Sequence, residues 1–116
     1  MTAPLLLARG MVVELANPSC SGRPLRRLAV VLQADRWLQH HPTITCCPLT
    51  RTLMAAPLLR LALQPSGGNG LPGPVQVMAD KLFTPVRSQV RRVLGTLEGA
   101  DLARVELALR QWLELP

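Results

Sequence analysis

Aromatic residues are scarce in this sequence, whose 116 residues include two tryptophans, one phenylalanine and no tyrosine. An interior with so few rings has to be filled by leucine, valine and alanine. Hydrophobic residues make up 48% of the chain, which is enough to form the core of one domain over residues 1–116. Apolar runs are short, and none approaches the ~20 residues that a transmembrane helix needs. We therefore expect one globular domain without a membrane partner.

Cysteine and histidine are also few, and their spacing does not suit a disulfide framework or a metal site. Cys20, Cys46 and Cys47 are odd in number and include an adjacent pair, which indicates reduced thiols in a cytoplasmic protein. Neighbouring residues of a strand point to opposite faces of a sheet, so neither His40-His41 nor the adjacent cysteines can converge on one ion. The sequence predicts neither a metal nor another cofactor.

Lysine is nearly absent, because twelve of the thirteen basic residues are arginine. The net charge is +6, and ten basic residues face only two acidic ones between Arg23 and Arg92. A positive middle segment suits nucleic acid or an acidic partner. The planar fork of arginine binds phosphate through two hydrogen bonds. A general preference for arginine codons over lysine codons is the alternative explanation.

Apolar patterns predict five or six strands and a C-terminal helix. The run "LAVVL" is expected to be buried on both faces of a sheet. Glycine and proline concentrate in 64–74, which predicts a mobile loop, and Thr84-Pro85 predicts the start of a short helix through Val90. In the tail, Leu102, Val105, Leu109, Trp112 and Leu113 recur at helical spacing. The predicted strands are 11–15, 28–32, 43–49, 58–63, 75–83 and 91–97. Together these elements predict a small α+β barrel closed by one helix.

Three short segments carry the candidate functional residues. The first holds Arg23, Arg26 and Arg27 at the start of the buried strand, where an arginine can be aimed at a developing charge. The second is "CPLTRT", in which Thr50 and Thr52 flank Arg51. Threonine hydroxyls at a strand exit bind phosphate or, more commonly, cap a turn.

The third candidate is Asp80, the only carboxylate between Arg36 and Arg92. A carboxylate on a half-buried strand needs a partner, and an arginine is the simplest one. A structural ion pair and a role in chemistry are both open for this residue.

Several segments in the same order resemble the MazF/PemK family of toxin endoribonucleases. "RGMVVELANP" is similar to the opening strand of that family, "RRLAVVLQAD" to its arginine-led second strand and "CPLT" to its threonine-bearing third strand. "GPVQVMADKLFT" resembles its Asp-Gln-Ile-Arg-Thr strand, and "LGTLEGADLARVELALRQWLEL" its closing strand and helix. The resemblance covers nearly the whole chain.

The resemblance implies an SH3-like or CcdB-like barrel, a homodimer, and a toxin of a type II toxin–antitoxin system that cleaves single-stranded RNA without a metal. It places the catalytic arginine at Arg27, the catalytic threonine at Thr50 and an acidic residue near the cut at Asp80. Arg23, Arg26, Arg51 and Thr52 are then expected to bind RNA. The expected inhibitor is a MazE-like antitoxin with an acidic tail.

Two departures from the family pattern keep alternatives open. Leu28 stands where the family has proline after its arginine, whereas proline follows Arg23 here, so Arg23 is an alternative catalytic arginine. Phe83 replaces an arginine of the Asp-Gln-Ile-Arg-Thr strand, so a weakly active homologue that binds antitoxin is a second alternative. A CcdB-like toxin that binds gyrase, with contacts near Trp112, is a third.

Overall fold

The computed structural model describes residues 6–18, 24–56 and 59–116. Cys20, Arg23 and Leu58, which belong to segments predicted above, lie outside these ranges. Two 3-10 turns, Ala79–Lys81 and Arg87–Gln89, lie between the fifth and sixth strands. In chain order, the strands and α-helices of the described residues are β1 (Met11–Pro18), β2 (Pro24–Val31), α1 (Asp35–Leu38), β3 (Cys46–Thr50), β4 (Arg60–Leu63), β5 (Val75–Met78), β6 (Val90–Thr96) and α2 (Gly99–Leu113).

The strands form one antiparallel sheet in the order β4-β5-β3-β2-β1-β6. In four of the five strand pairs, the paired strands are consecutive or next but one along the chain. The fifth pair joins the last strand, β6, to the first, β1. The edges are β4 and β6, so the barrel-like sheet is open. The predicted α+β architecture, a sheet of five to seven strands with a C-terminal helix, is confirmed.

The centre of the sheet is buried on both faces, as the run "LAVVL" predicts. Val30 and Cys47 belong to the apolar cluster that α2 covers, and both are fully buried. Val31 and Cys46 are equally buried in a second cluster, which includes Leu38 of α1. Alternation along β2 and β3 therefore places the adjacent cysteines on opposite faces of the sheet.

The helix α2 packs one apolar stripe against the sheet. Val105 is fully buried, and Leu102 and Leu109 pack against the same cluster. The helix begins after Glu98, whose carbonyl accepts a hydrogen bond from the Leu102 N–H at 3.0 Å. Trp112, predicted on this stripe, is 49% exposed. Among the described residues, no helix combines the length and apolar content that crossing a membrane requires.

The predicted helix over 84–90 is wrong. Phe83 and Val86 form isolated β-bridges with Cys46 and Thr43, and the Phe83 N–H donates to the Cys46 carbonyl at 3.0 Å. Only Arg87–Gln89 makes a 3-10 turn. Extended pairing with the segment before β3 satisfies the backbone here, and it outweighs the local helix-start signal of Thr84-Pro85.

Candidate active site

A cavity of about 800 Å³ opens beside the ends of the central strands. Its charged wall consists of three arginines and one carboxylate, Glu14. Thr50 and leucine, valine, methionine, glycine and proline residues supply the rest. The full lining is Glu14, Arg27, Leu28, Leu49, Thr50, Arg51, Gly70, Pro72, Val75, Met78, Arg92, Val93 and Leu94.

Pairing of β2 with β3 brings Arg27 and Thr50 together. Ala29 pairs with Pro48 in this antiparallel ladder. The ladder ends at this pair, and its register, continued by two residues, would place Arg27 across from Thr50 on one face of the sheet. Directly opposed side chains have Cβ atoms about 4.5–5.5 Å apart. Both residues that the sequence singles out for chemistry line the wall of this one cavity.

The Thr50 hydroxyl is held by a local hydrogen bond. Its Oγ1 accepts from the Thr52 backbone N–H at 3.1 Å. A hydroxyl that accepts one hydrogen bond still has its own hydrogen to donate. Thr50 thus caps the turn and can also donate to a phosphate oxygen. Arg51, between the two threonines, lines the cavity, whereas Thr52 is exposed outside the lining.

Phe83 fixes the position of the Arg27 guanidinium. The Cζ of Arg27 lies 5.1 Å from the centroid of the Phe83 ring, a cation–π distance. Phe83 itself is anchored to β3, because it exchanges two backbone hydrogen bonds with Cys46, at 2.9 and 3.0 Å. The residue at which the sequence departs from the family pattern is therefore the residue that contacts Arg27.

Glu14 and Arg92 form an ion pair in the cavity wall that the sequence reasoning missed. The Arg92 Nε donates to Glu14 Oε2 at 2.5 Å. The Glu14 side chain is only 8% exposed, whereas that of Arg92 is 67% exposed. A charged residue inside the apolar run "MVVELA" was the available signal, because a carboxylate buried in a strand requires a partner.

Asp80 has the arginine partner that its half-buried position requires. It lies on the turn after β5, and its Oδ1 is 3.5 Å from Nη1 of Arg60. The side chains of Arg60 and Asp80 are 11% and 16% exposed, and Asp80 is absent from the cavity lining. Burial, and to a smaller degree the charge of Asp80, raises the pKa of the Cys47 thiol to about 12.

Of the other predicted RNA-binding arginines, only the Arg26 backbone can be placed. Arg26 lies in β2 and pairs with Ala16 of β1. Arg23 falls outside the described residues. Within the described ranges, no three or more histidine, cysteine, aspartate or glutamate side chains are grouped so as to hold a metal ion.

The glycine-rich segment 64–74 forms one wall of the cavity and is organised by Asn69. This side chain is 1% exposed, and its Oδ1 accepts from the backbone N–H groups of Ser66 and Leu71, both at 3.0 Å. Gly70 has φ +66°, and a Cβ there would lie 2.1 Å from the Leu94 carbonyl oxygen. The expected mobile loop is instead a hydrogen-bonded structure packed against β6.

Comparison with known proteins agrees with this architecture. The family model described as a PemK-like, MazF-like toxin of type II toxin–antitoxin systems matches residues 9–113. A relative from Mycolicibacterium smegmatis (strain ATCC 700084 / mc(2)155), named a probable endoribonuclease MazF, is 32% identical over 94 residues, which cover 81% of this chain and 84% of that protein.

Solved structures show the same fold. A MazE–MazF structure (Form-III) from Deinococcus radiodurans has a TM-score of 0.81 at 24% identity and covers 97% of this chain and 100% of its own. An endoribonuclease with its cognate antitoxin from a mycobacterial species has a TM-score of 0.76 at 23% identity, with 95% and 97% covered. The chain therefore belongs to the family of PemK-like and MazF-like toxins of type II toxin–antitoxin systems.

Proposed function

We propose that this protein is an endoribonuclease that cuts single-stranded messenger RNA in the cytoplasm at selected sequences, without a metal ion. The presence of Arg27 and Thr50 together in the wall of an arginine-lined cavity is the observation that carries the proposal. The name of the relative from M. smegmatis, a probable endoribonuclease, supports it.

The proposed reaction is a transesterification within the RNA. The 2′-oxygen attacks the adjacent phosphorus and forms a new P–O bond, while the bond from phosphorus to the 5′-oxygen breaks. The 2′-hydroxyl loses its proton to a base, and the departing 5′-oxygen gains a proton. The products are a cyclic phosphate and a free 5′-hydroxyl. Such a reaction needs a cation at the phosphorane, a donor to a non-bridging oxygen and two proton transfers.

Arg27 supplies the cation in this scheme, and Thr50 supplies the donor. Both are held before substrate arrives, Arg27 by the Phe83 ring and Thr50 by the Thr52 N–H. Preorganised donors of this kind are typically worth about 10²–10³ in rate. Arg23, Arg26, Arg51 and Thr52 are assigned to RNA binding.

The proton transfers need a group other than arginine, which does not give up its proton in proteins. Asp80 is the residue that the sequence predicts for this role. It pairs with Arg60 and lies outside the cavity lining. Its part in proton transfer therefore stays a prediction.

Two protein partners belong to the proposal, a second copy of the chain and an antitoxin with an acidic, largely disordered tail. MazE is named together with MazF in the D. radiodurans structure. An acidic tail would lie along the arginines of the cavity and compete with RNA. We expect the affinity of tail peptides to fall as the salt concentration increases. An affinity that does not depend on salt would contradict binding through the charges of the cavity arginines.

An RNA with one 2′-deoxy nucleotide before the cut tests the proposed chemistry. Cleavage should stop because the attacking atom is gone, whereas binding should change little because phosphate contacts supply most of the affinity. The assay contains excess EDTA, in which the all-ribose RNA should still be cut. Cutting at the deoxy position would mean that another nucleophile attacks. A gyrase-binding toxin would be indifferent to this hydroxyl.

A further inference from the structure

Glu14 and Arg92 are direct cross-strand neighbours between two irregularities of the β1–β6 ladder, one at Val12/Val13 and one at Glu14/Leu15. In the β1–β6 ladder, Val13 pairs with Val93, Glu14 with Arg92 and Leu15 with Val90. Arg91 is therefore an extra residue without an opposite partner in this ladder. Such bulges re-aim side chains at functional sites. Here the bulge brings Arg92, and not Arg91, beside the buried carboxylate in the cavity wall.

The two members of the pair differ in exposure, and this difference points to a role. Glu14 is nearly buried, and the guanidinium of Arg92 beside it compensates part of its charge. Arg92 is mostly exposed and uses Nε for Glu14. This hydrogen bond does not involve the two terminal nitrogens, which carry four of the five N–H donors of a guanidinium. A guanidinium held at Nε presents those donors in a fixed direction.

We propose that Arg92 is a further RNA-binding residue that contacts a phosphate in the cavity, and that Glu14 is the positioning residue that aims it. The inference rests on the proposed ribonuclease function. Glu14 has an opposing effect on binding, because a carboxylate in a phosphate-binding cavity repels RNA. Removing the charge of Glu14 should therefore favour binding while it disturbs the direction of Arg92.

Arg91 is the matched control for Arg92, since the two are adjacent, equally charged and both exposed, and only Arg92 lines the cavity. Binding is measured with the RNA that carries the 2′-deoxy nucleotide at the cut, across a range of salt concentrations. We expect Arg92→Gln to weaken binding roughly tenfold and to lower the slope of log affinity against log salt by about 0.7, the value for one phosphate contact on a single strand. Arg91→Gln should leave the slope unchanged, and equal effects of the two changes would overturn the inference.

Glu14→Gln separates positioning from direct contact. We expect KM to stay the same or fall and kcat to fall about tenfold, with kcat calculated per folded protein because an unfolded fraction would also lower the apparent kcat at constant KM. Arg92→Gln should itself lower kcat, because it removes the guanidinium that Glu14 aims, and adding Glu14→Gln to it should cause no further loss. An equal loss in both backgrounds would mean that the carboxylate acts on RNA directly and would overturn the positioning role. The double variant has neutral amides at both positions, so neither substitution leaves the other member of the pair charged and alone. Thermal unfolding checks that this variant is folded.

Arg92→Lys tests the direction of the guanidinium. It restores the charge without the planar fork, so the salt slope should return while kcat stays low. Full recovery of kcat would contradict the requirement that the guanidinium of Arg92 point in a fixed direction. If the unchanged protein binds RNA but does not cut it, the proposed function fails, while the binding comparison of Arg92→Gln with Arg91→Gln still decides the role of Arg92.

Discussion

Among the carboxylate–arginine pairs that join distant segments of the described chain, Glu14–Arg92 and Asp80–Arg60 hold their arginines in different surroundings. In the first pair, Glu14 is 8% exposed and Arg92 is 67% exposed at the cavity. In the second, Arg60 and Asp80 are 11% and 16% exposed, and neither lines the cavity. The first arginine can reach a ligand without leaving its carboxylate, whereas the second is enclosed with its partner.

This difference in exposure indicates that one ion pair stabilises the fold and that the other holds an arginine for binding. Loss of one partner from an enclosed pair leaves a charge buried without compensation, which lowers stability. Loss of an exposed arginine from a cavity wall removes a binding group at little cost to the fold. Changes at the cavity should therefore alter cleavage, and changes at Arg60 or Asp80 should alter unfolding.

The largest effect is expected at the cavity. Arg27→Ala and Thr50→Ala should each lower the cleavage rate by about 10²–10³, the usual loss for one preorganised donor. Melting temperatures should stay within a few degrees of the parent, because Arg27 is exposed and Thr50 half-buried. Arg36→Ala is the matched control, since Arg36 also lies over a ring, 5.3 Å from that of Trp37, outside the cavity lining.

Normal cleavage by Arg27→Ala would contradict the choice of this arginine. Arg23→Ala would then be the variant to measure, because Arg23 is the alternative that the sequence leaves open. Loss of cleavage in Arg36→Ala as well would mean that total charge matters more than position.

The second largest effect is expected in stability. Asp80→Asn should lower the free energy of unfolding by about 3 kcal/mol, because it leaves the Arg60 guanidinium buried without its counter-charge. The double change Arg60→Met with Asp80→Leu should recover most of the loss. Denaturant unfolding measures both. A fully stable Asp80→Asn protein that cannot cleave RNA would instead support the proton-transfer role predicted for Asp80.

A smaller effect is expected from the ring under Arg27. Phe83→Leu removes the cation–π contact, worth about 0.5–1 kcal/mol at an exposed site, so cleavage should fall roughly two- to fivefold. Phe83→Tyr keeps an aromatic face and should retain nearly full activity. Equal losses in the two variants, measured as kcat with saturating RNA, would show that ring stacking does not position the guanidinium.

The smallest effect is a shift in thiol titration that reports the charge of Asp80. Burial raises the pKa of both Cys46 and Cys47 to about 12. The negative charge of Asp80 is the second cause of the raised pKa of Cys47, whereas the second cause for Cys46 is the neighbouring Cys47. Asp80→Asn should therefore lower the pKa of Cys47 alone. Thiolate absorbance in variants that keep one cysteine measures this. An equal shift at both thiols would indicate a general loosening of the core.

The same thiols predict a pH dependence of stability. A folded-state pKa near 12 lies above the ordinary thiol pKa of 9.0, so the folded protein holds these protons more tightly than the unfolded chain does. Their contribution to the free energy of unfolding is complete below about pH 9 and is lost as pH rises toward 12. Replacement of both cysteines by alanine should flatten the stability curve in this range.

Most strands and the long helix could be predicted because their signals are local. The run around Val30 and the helical spacing of Leu102, Val105 and Leu109 indicate buried faces without reference to the rest of the chain. The helix predicted after Thr84 failed for the opposite reason. Its backbone partners lie in 42–46, and a start signal in the sequence contains no information about them.

The functional pairs divide in the same way. Arg27 and Thr50 became candidates because each lies beside an apolar run with a recognisable pattern, Arg27 before the run 28–32 and Thr50 after the run 43–49. Glu14 and Arg92 are 78 positions apart, and a bulge in β6 decides which of two neighbouring arginines meets the carboxylate. A bulge changes the register without changing the hydrophobic pattern around it, so only the folded sheet reveals this pair.

The hydrogen bonds of Asn69 have a consequence for the thermodynamics of RNA binding. Fixing the backbone of a flexible residue costs about 1–2 kcal/mol in conformational entropy. In the segment 64–74 this loss occurs during folding, when the buried amide of Asn69 forms hydrogen bonds with the loop backbone and Gly70 packs against Leu94 of β6. RNA therefore meets a cavity wall whose shape is already set, and its affinity is not reduced by the ordering of a loop.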